Sequence, residues 1–253
     1  MYKNHTKISF FVKINRVFVQ WRNEYNMENS ILWRNGAVGK KFVASFSGGK
    51  DSTFALYKSM AVGEAVALIV MMDEHGAHSR SHRLTEKIIK EQASSIGLPV
   101  FSDAANWNDY ENKFIKLLEK TKSMGAEVLV AGDLDVPDKD CWHDIVTKKV
   151  GLDLAMPLRG MNHREVVTEF VKAGFKCVIV TVNLSMGMEI DDLGKELSLE
   201  YIEVLENRGI DSCGEAGEFH TIVIDGPIFK NKIDVKFGEV LRDKEYAFLD
   251  CVL

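Results

Sequence analysis

Six consecutive residues, Ser47-Gly48-Gly49-Lys50-Asp51-Ser52, combine the side chains needed to hold a metal polyphosphate. Adjacent glycines open unusual backbone angles and let a phosphate approach the main chain closely. Lys50 adds a full positive charge, and the hydroxyls of Ser47 and Ser52 add donors. Asp51 repels a bare phosphate, so its presence predicts a divalent cation between carboxylate and phosphates, with Asp51 as the metal ligand. The apolar run Phe42 to Phe46 ahead of the turn reads as a buried strand, and Phe54, Ala55 and Leu56 behind it as a helix. The turn then lies at a helix N-terminus, where free N–H groups and the helix dipole favour an anion. A purely structural glycine turn would need neither Lys50 nor Asp51. A Walker A loop has glycines at a different spacing and its lysine directly before the Ser or Thr.

A second segment with chemistry is Asp211-Ser-Cys-Gly214-Glu215-Ala-Gly217-Glu218, ahead of a strand at Ile222–Ile224. Its two carboxylates, three apart and bracketed by glycines, predict a tight turn facing a ligand. Gly132-Asp133 ends another strand; Asp133 is a candidate for a metal or a ribose hydroxyl, or equally for the cap of the next helix. The polar loop Asp73–His82 holds three histidines in eight residues without a metal-ligand spacing. Ser79 and His82 are its expected nucleotide or substrate contacts. His143 and Asp144 are expected to face solvent.

The elements that must position these residues follow the hydrophobic pattern. Ala65–Met72 is apolar without alternation, as in a strand of a parallel sheet covered on both faces. Helical periods run over Arg83–Ile96, Asn108–Met124 and Asp138–Lys149, with strands at Val100-Phe101 and Glu127–Ala131. Alternating β and α elements argue for an open parallel sheet with right-handed crossovers. Past Leu152 the texture changes: an extended connector at Leu154–Gly160, a helix capped by Asn162 with Glu165, a strand at Phe175–Val182, a helix near Tyr201–Glu206 and hairpin-like strands at Lys232–Val240 and Glu245–Val252. The expected division is an N-terminal extension over 1–40, an α/β domain over 41–151 and a smaller α+β domain over 152–253.

At 253 residues the chain can bury a sizeable core. Its net charge of −5 excludes an electrostatic case for nonspecific nucleic-acid binding. Four cysteines, Cys141, Cys177, Cys213 and Cys251, lie too far apart for a Cys-x-x-Cys pair, which predicts a reducing, cytoplasmic setting. No apolar run reaches the length of a membrane span. The first 26 residues scatter basic and apolar side chains without a secretory pattern, and Met27 could equally be the start.

Ser47–Ser52 resembles the PP-loop of ATP pyrophosphatases, which cleave ATP between the α and β phosphates. With Gly132-Asp133, Pro157-Leu158, Gly214-Glu215-x-Gly217-Glu218 and Asp225-Gly226-Pro227 in this order, residues 41–230 resemble the diphthine–ammonia ligase family, the N-type ATP pyrophosphatases. The loop Ser79–His82 looks like that of bacterial members, whose acceptor would not be diphthine, a residue of archaeal and eukaryotic elongation factor 2. Asp138–His143 and the residues Ser212 and Ala216 depart from the family's usual pattern. The resemblance implies a Rossmann-like PP-loop domain, a smaller α+β domain and an active site between them. It implies that ATP with Mg²⁺ adenylates a substrate carboxylate, small or protein-borne, and that ammonia then forms the amide. Ser47, Gly48, Gly49, Lys50, Asp51 and Ser52 would hold the pyrophosphate and Mg²⁺, and Glu215 and Glu218 would face substrate or ammonia. Rival expectations are a non-catalytic nucleotide sensor and another PP-loop enzyme, of sulfur-transfer type or a reductase using Cys213 or Cys251. The amphipathic strands of the second domain permit a homodimer.

Overall fold

The computed structural model describes residues 36–80, 82–137 and 141–253. The expectations for residues 1–35, and for the first turn of a helix at 138–140, lie outside the described residues. Five strands, β1 (Lys41–Ser45), β2 (Glu64–Met72), β3 (Val100–Ala104), β4 (Val128–Val130) and β5 (Asp153–Ala155), form a parallel sheet in the order β3-β2-β1-β4-β5. The crossovers carry α1 (Lys50–Met60), α2 (Glu86–Ile96), α3 (Tyr110–Ser123) and α4 (Trp142–Val150).

The period of two along β1 explains how the sheet is covered. Val43 joins Ile69, Leu129, Phe114, Leu118 and Val146 on the face under α3 and α4. Phe42 and Ala44 join Phe54, Leu56 and Tyr57 on the opposite face. The latter cluster continues into α5 (His163–Lys172), β6 (Lys176–Asn183) and α6 (Leu199–Asn207) through Val167, Phe170, Ile179 and Ile202. Asn162 caps α5 by accepting from Glu165 N–H, as its spacing predicts.

The smaller sheet is antiparallel, ordered β7-β6-β9-β8, with β7 (Phe219–Asp225), β8 (Lys236–Asp243) and β9 (Tyr246–Val252). The two sheets share buried contacts. Gln92, fully buried on α2, donates from Nε2 to Gly48 O at 2.9 Å and to Val223 O at 2.8 Å, and Val223 N–H donates to Gly48 O at 3.0 Å. β7 is thereby tied at Val223 to the glycine turn after β1.

One stretch differs from expectation. Asp153–Ala155 is an edge strand paired in register with Val128–Val130, and it takes in the first two residues of the connector expected over Leu154–Gly160, so the parallel sheet runs past residue 151. Three residues carry no readable period; pairing with β4 makes them a strand. No described helix is long and apolar enough to cross a membrane.

Candidate active site

The turn after β1 and the loop after β4 lie at neighbouring carboxyl strand ends, where strand order reverses and α/β sheets bind ligands. A cleft of about 740 Å³ opens there. Ser47, Lys50, Asp51, Ser52 and Asp133 line it from the parallel sheet, and Glu215, His220 and Thr221 from the smaller one.

Gly48 has φ +82, and a Cβ would lie 2.4 Å from Gln92 Oε1, so the turn requires glycine in both angle and space. Gly49 is the N-cap of α1 and offers no side-chain acceptor. The hydroxyls of Ser47 and Ser52 lie 3.0 Å apart; Ser52 Oγ donates to Gly49 O and accepts from Ser47 N–H. They shape the loop as well as facing the cleft. Lys50 N–H donates to Thr221 Oγ1 at 3.1 Å, which docks the helix start on β7. The first-turn N–H groups beyond it have no capping side chain, the arrangement that suits an anion.

Lys50 is 5% exposed, and its ammonium lies 2.8 Å from Asp51 Oδ2. Burial opposes its charge, but the pull of Asp51 together with its other neighbours leaves its pKa raised. Asp51 Oδ1 is buried without a hydrogen-bond partner. A carboxylate oxygen left bare beside a phosphate-type loop fits a cation ligand. Among the described residues no group of three or more His, Cys, Asp or Glu side chains could hold a metal alone. Asp51 with phosphate and water oxygens is a donor set suited to Mg²⁺, which keeps several waters and takes one or two carboxylates.

His82 lies on Gly49, where a Cβ would come 2.1 Å from its Cε1. Its Nδ1 is 2.8 Å from Thr221 O; a carbonyl only accepts, so Nδ1 carries the proton and Nε2 is left as an acceptor. Burial lowers its pKa to about 4. The His220 ring lies tilted against it, centroids 4.9 Å apart, and burial, His82 and Lys50 bring its pKa to about 3. Both line the cleft as neutral rings. Gly132 is the close-approach residue of the β4 loop, because a Cβ there would meet Asp51 O at 2.8 Å and Ser52 N at 2.9 Å. Asp133 follows it, 3.7 Å from His143 Nε2.

Glu215 Oε1 accepts from Leu134 N–H at 3.1 Å and Asp135 N–H at 3.4 Å, so the acidic turn docks on the β4 loop. Burial raises its pKa, against the pull of those N–H groups. Its expected companion is placed differently. Glu218 is 8% exposed, keeps Oε2 without a partner and does not line the cleft. Ser79 does not line it either; its Oγ accepts from Leu84 N–H and supports its own loop.

His143, expected in solvent, is a cleft residue with a side chain 15% exposed. The reason is phase: α4 begins at Trp142, so its first turn looks into the cleft. Trp107 and Tyr110, which follow β3, and Trp142, which follows β4, complete an aromatic wall unassigned from sequence. Arg80 lies 4.3 Å from the Trp107 ring, and Trp142 packs 5.5 Å from Tyr110. Position after a parallel strand was the available signal. Cys213 and Cys251 are poor nucleophiles here: both are buried, and burial pushes them up to about 12, which keeps them as thiols.

Residues 40–154 match the diphthamide synthase N-terminal domain and residues 162–251 the diphthamide synthase C-terminal domain. A diphthine–ammonia ligase of Schizosaccharomyces pombe is 26% identical over 228 residues, 81% of this chain but 36% of that protein's length. The Mus musculus diphthine–ammonia ligase is 24% identical over 237 residues, 82% of this chain and 87% of its own. A solved structure, a predicted subunit of tRNA methyltransferase from Methanocaldococcus jannaschii, superposes with a TM-score of 0.40 at 17% identity over 77% of this chain and 100% of that one. The chain belongs to the diphthamide synthase family, by matches to both of its domains.

Proposed function

We propose that this protein is an ATP-dependent amide ligase that joins ammonia to a carboxylate, releasing AMP and pyrophosphate. The observation that carries the proposal is the Lys50–Asp51 pair at the start of α1, with one bare carboxylate oxygen, facing Glu215 across one cleft. The relatives' name points to diphthine as the acceptor carboxylate.

Lys50 and the first-turn N–H groups of α1 would bind the β and γ phosphates, and Asp51 would hold Mg²⁺. Bound there, the cation offsets phosphate charge and orients the chain of phosphates. The substrate carboxylate attacks the α-phosphorus, the bond to the bridging oxygen breaks, and pyrophosphate leaves with its new charge held by Lys50. Ammonia then attacks the acyl carbon and AMP departs. Glu215 is suited to take the proton from ammonium, since its burial makes it a stronger base than a solvated carboxylate. Glu218 is left out of this step because the cleft does not reach it. The neutral rings of His82 and His220 add no charge beside the phosphates and leave His82 Nε2 as an acceptor.

Product analysis with ATP, Mg²⁺, ammonium and diphthine-bearing elongation factor 2 tests the reading. AMP and pyrophosphate in equal amounts, dependent on the acceptor, are expected. ADP and phosphate would rule out cleavage at the α-phosphorus. Nucleotide binding without turnover, with this acceptor and with a cell-extract metabolite pool, would leave a sensor.

A further inference from the structure

Outside the phosphate arm, one side chain joins three elements around the cleft mouth. His163, the first residue of α5, has Nδ1 at 2.9 Å from both carboxylate oxygens of Asp211. Its Nε2 lies 3.2 Å from Asp135 Oδ1. Asp211 also accepts from Glu215 N–H at 2.9 Å and Cys213 N–H at 3.3 Å. Glu215 in turn accepts from Leu134 and Asp135 N–H, so the links close on themselves. The Cys213 thiol donates to His163 O at 3.2 Å and adds a second tie between α5 and the turn.

We infer that His163 is a positioning residue whose ring, held between Asp135 and Asp211, keeps the Glu215 turn in register with the loop after β4. Ionised carboxylates only accept, so a ring bonded to one at each nitrogen must carry both protons. A neutral ring would turn a lone pair toward one of the two carboxylates and release that link. Charge-assisted bonds of this kind are stronger than neutral ones. Burial works against the charge on both partners, yet the bonds to Asp211 and Asp135 leave His163 raised in pKa, and the Glu215 N–H followed by His163 leaves Asp211 lowered. His163 matters to the reaction through the ammonium-side role proposed for Glu215.

Nitrogen-15 NMR of the full chain with labelled histidine should show His163 as an imidazolium at pH 7, both ring protons slow to exchange. A neutral His163 at pH 7 overturns the inference without any variant having to fold. His163→Phe should lower turnover of the diphthine-bearing elongation factor by about 100-fold, the effect of a reacting group displaced by about an ångström. Its Kd for ATP should move by less than about twofold, the scatter of independent sites. In a Glu215→Ala background the same substitution should cost less than about twofold more. Full additivity would mean a general structural role and would defeat the inference. Glu215→Ala at wild-type turnover defeats both the proton-accepting role of Glu215 and this inference; a slow Glu215→Ala beside a fast His163→Phe defeats this inference alone.

Discussion

Lys50 and Asp51 illustrate how neighbouring residues divide one task. The ammonium is buried and paired, so truncating Asp51 leaves it without that partner, and truncating Lys50 leaves the carboxylate uncompensated at the cleft wall. Lys50→Ala and Asp51→Ala are each expected to abolish pyrophosphate release, read by a coupled phosphate assay with pyrophosphatase; wild-type turnover by the Asp51 variant would sink the metal assignment. Cys213→Ser should keep turnover within about twofold, because a buried thiol has no catalytic ionisation to lose. The acid limb of the pH–rate profile should lie above the ordinary carboxylate range, since burial raises Glu215, and Glu215→Ala should remove that limb.

At the scale of elements, the site depends on how closely the β4 loop approaches α1. Gly132 allows it, and any Cβ there would press on the backbone of Asp51 and Ser52. Neither backbone can rotate away as a side chain tip would. Gly132→Ala should therefore cost about 1–3 kcal/mol, as overpacking does, and weaken ATP binding because the first turn of α1 must shift. Urea denaturation and calorimetric titration with ATP would measure the two effects; an unchanged Kd would show that α1 tolerates displacement. The strand–turn–helix at Lys41–Met60 was legible from its apolar run and glycine pair. β5 was not, since a three-residue edge strand exists only by pairing with Val128–Val130.

For the whole molecule, the glycine turn is also the seam between the two sheets. Gln92 donates across that seam to Gly48 O and Val223 O from a fully buried position. Gln92→Leu leaves Val223 O without this donor and is expected to lower stability by about 1–3 kcal/mol, with turnover falling as the cleft walls loosen. Acid should act on the same region. His82 and His220 sit near 4 and 3 when folded, below the ordinary imidazole value of 6.5. The unfolded chain then binds more protons between about pH 3 and 6.5, so stability is complete above that window and lost as pH falls through it. A thermal melt series should show Tm dropping from about pH 6.5 downward, less steeply in a His220→Phe variant.

Sequence by itself determined the local half of this protein: the strand, the glycine turn and the helix whose first turn suits an anion, and the parallel class of the first sheet. Those features follow from residue type and period within a few tens of residues. It also marked Asp133, His82 and Glu215, which the fold brings to one cleft. Only tertiary structure decided that Glu218 and Ser79 stay off the cleft surface while His143, Trp107 and Trp142 line it. Helix phase and the approach of two sheets set those directions, and neither is written in spacing. The ring of bonds through His163 likewise joins residues 28 and 48 positions apart in the chain, contacts that no short pattern encodes.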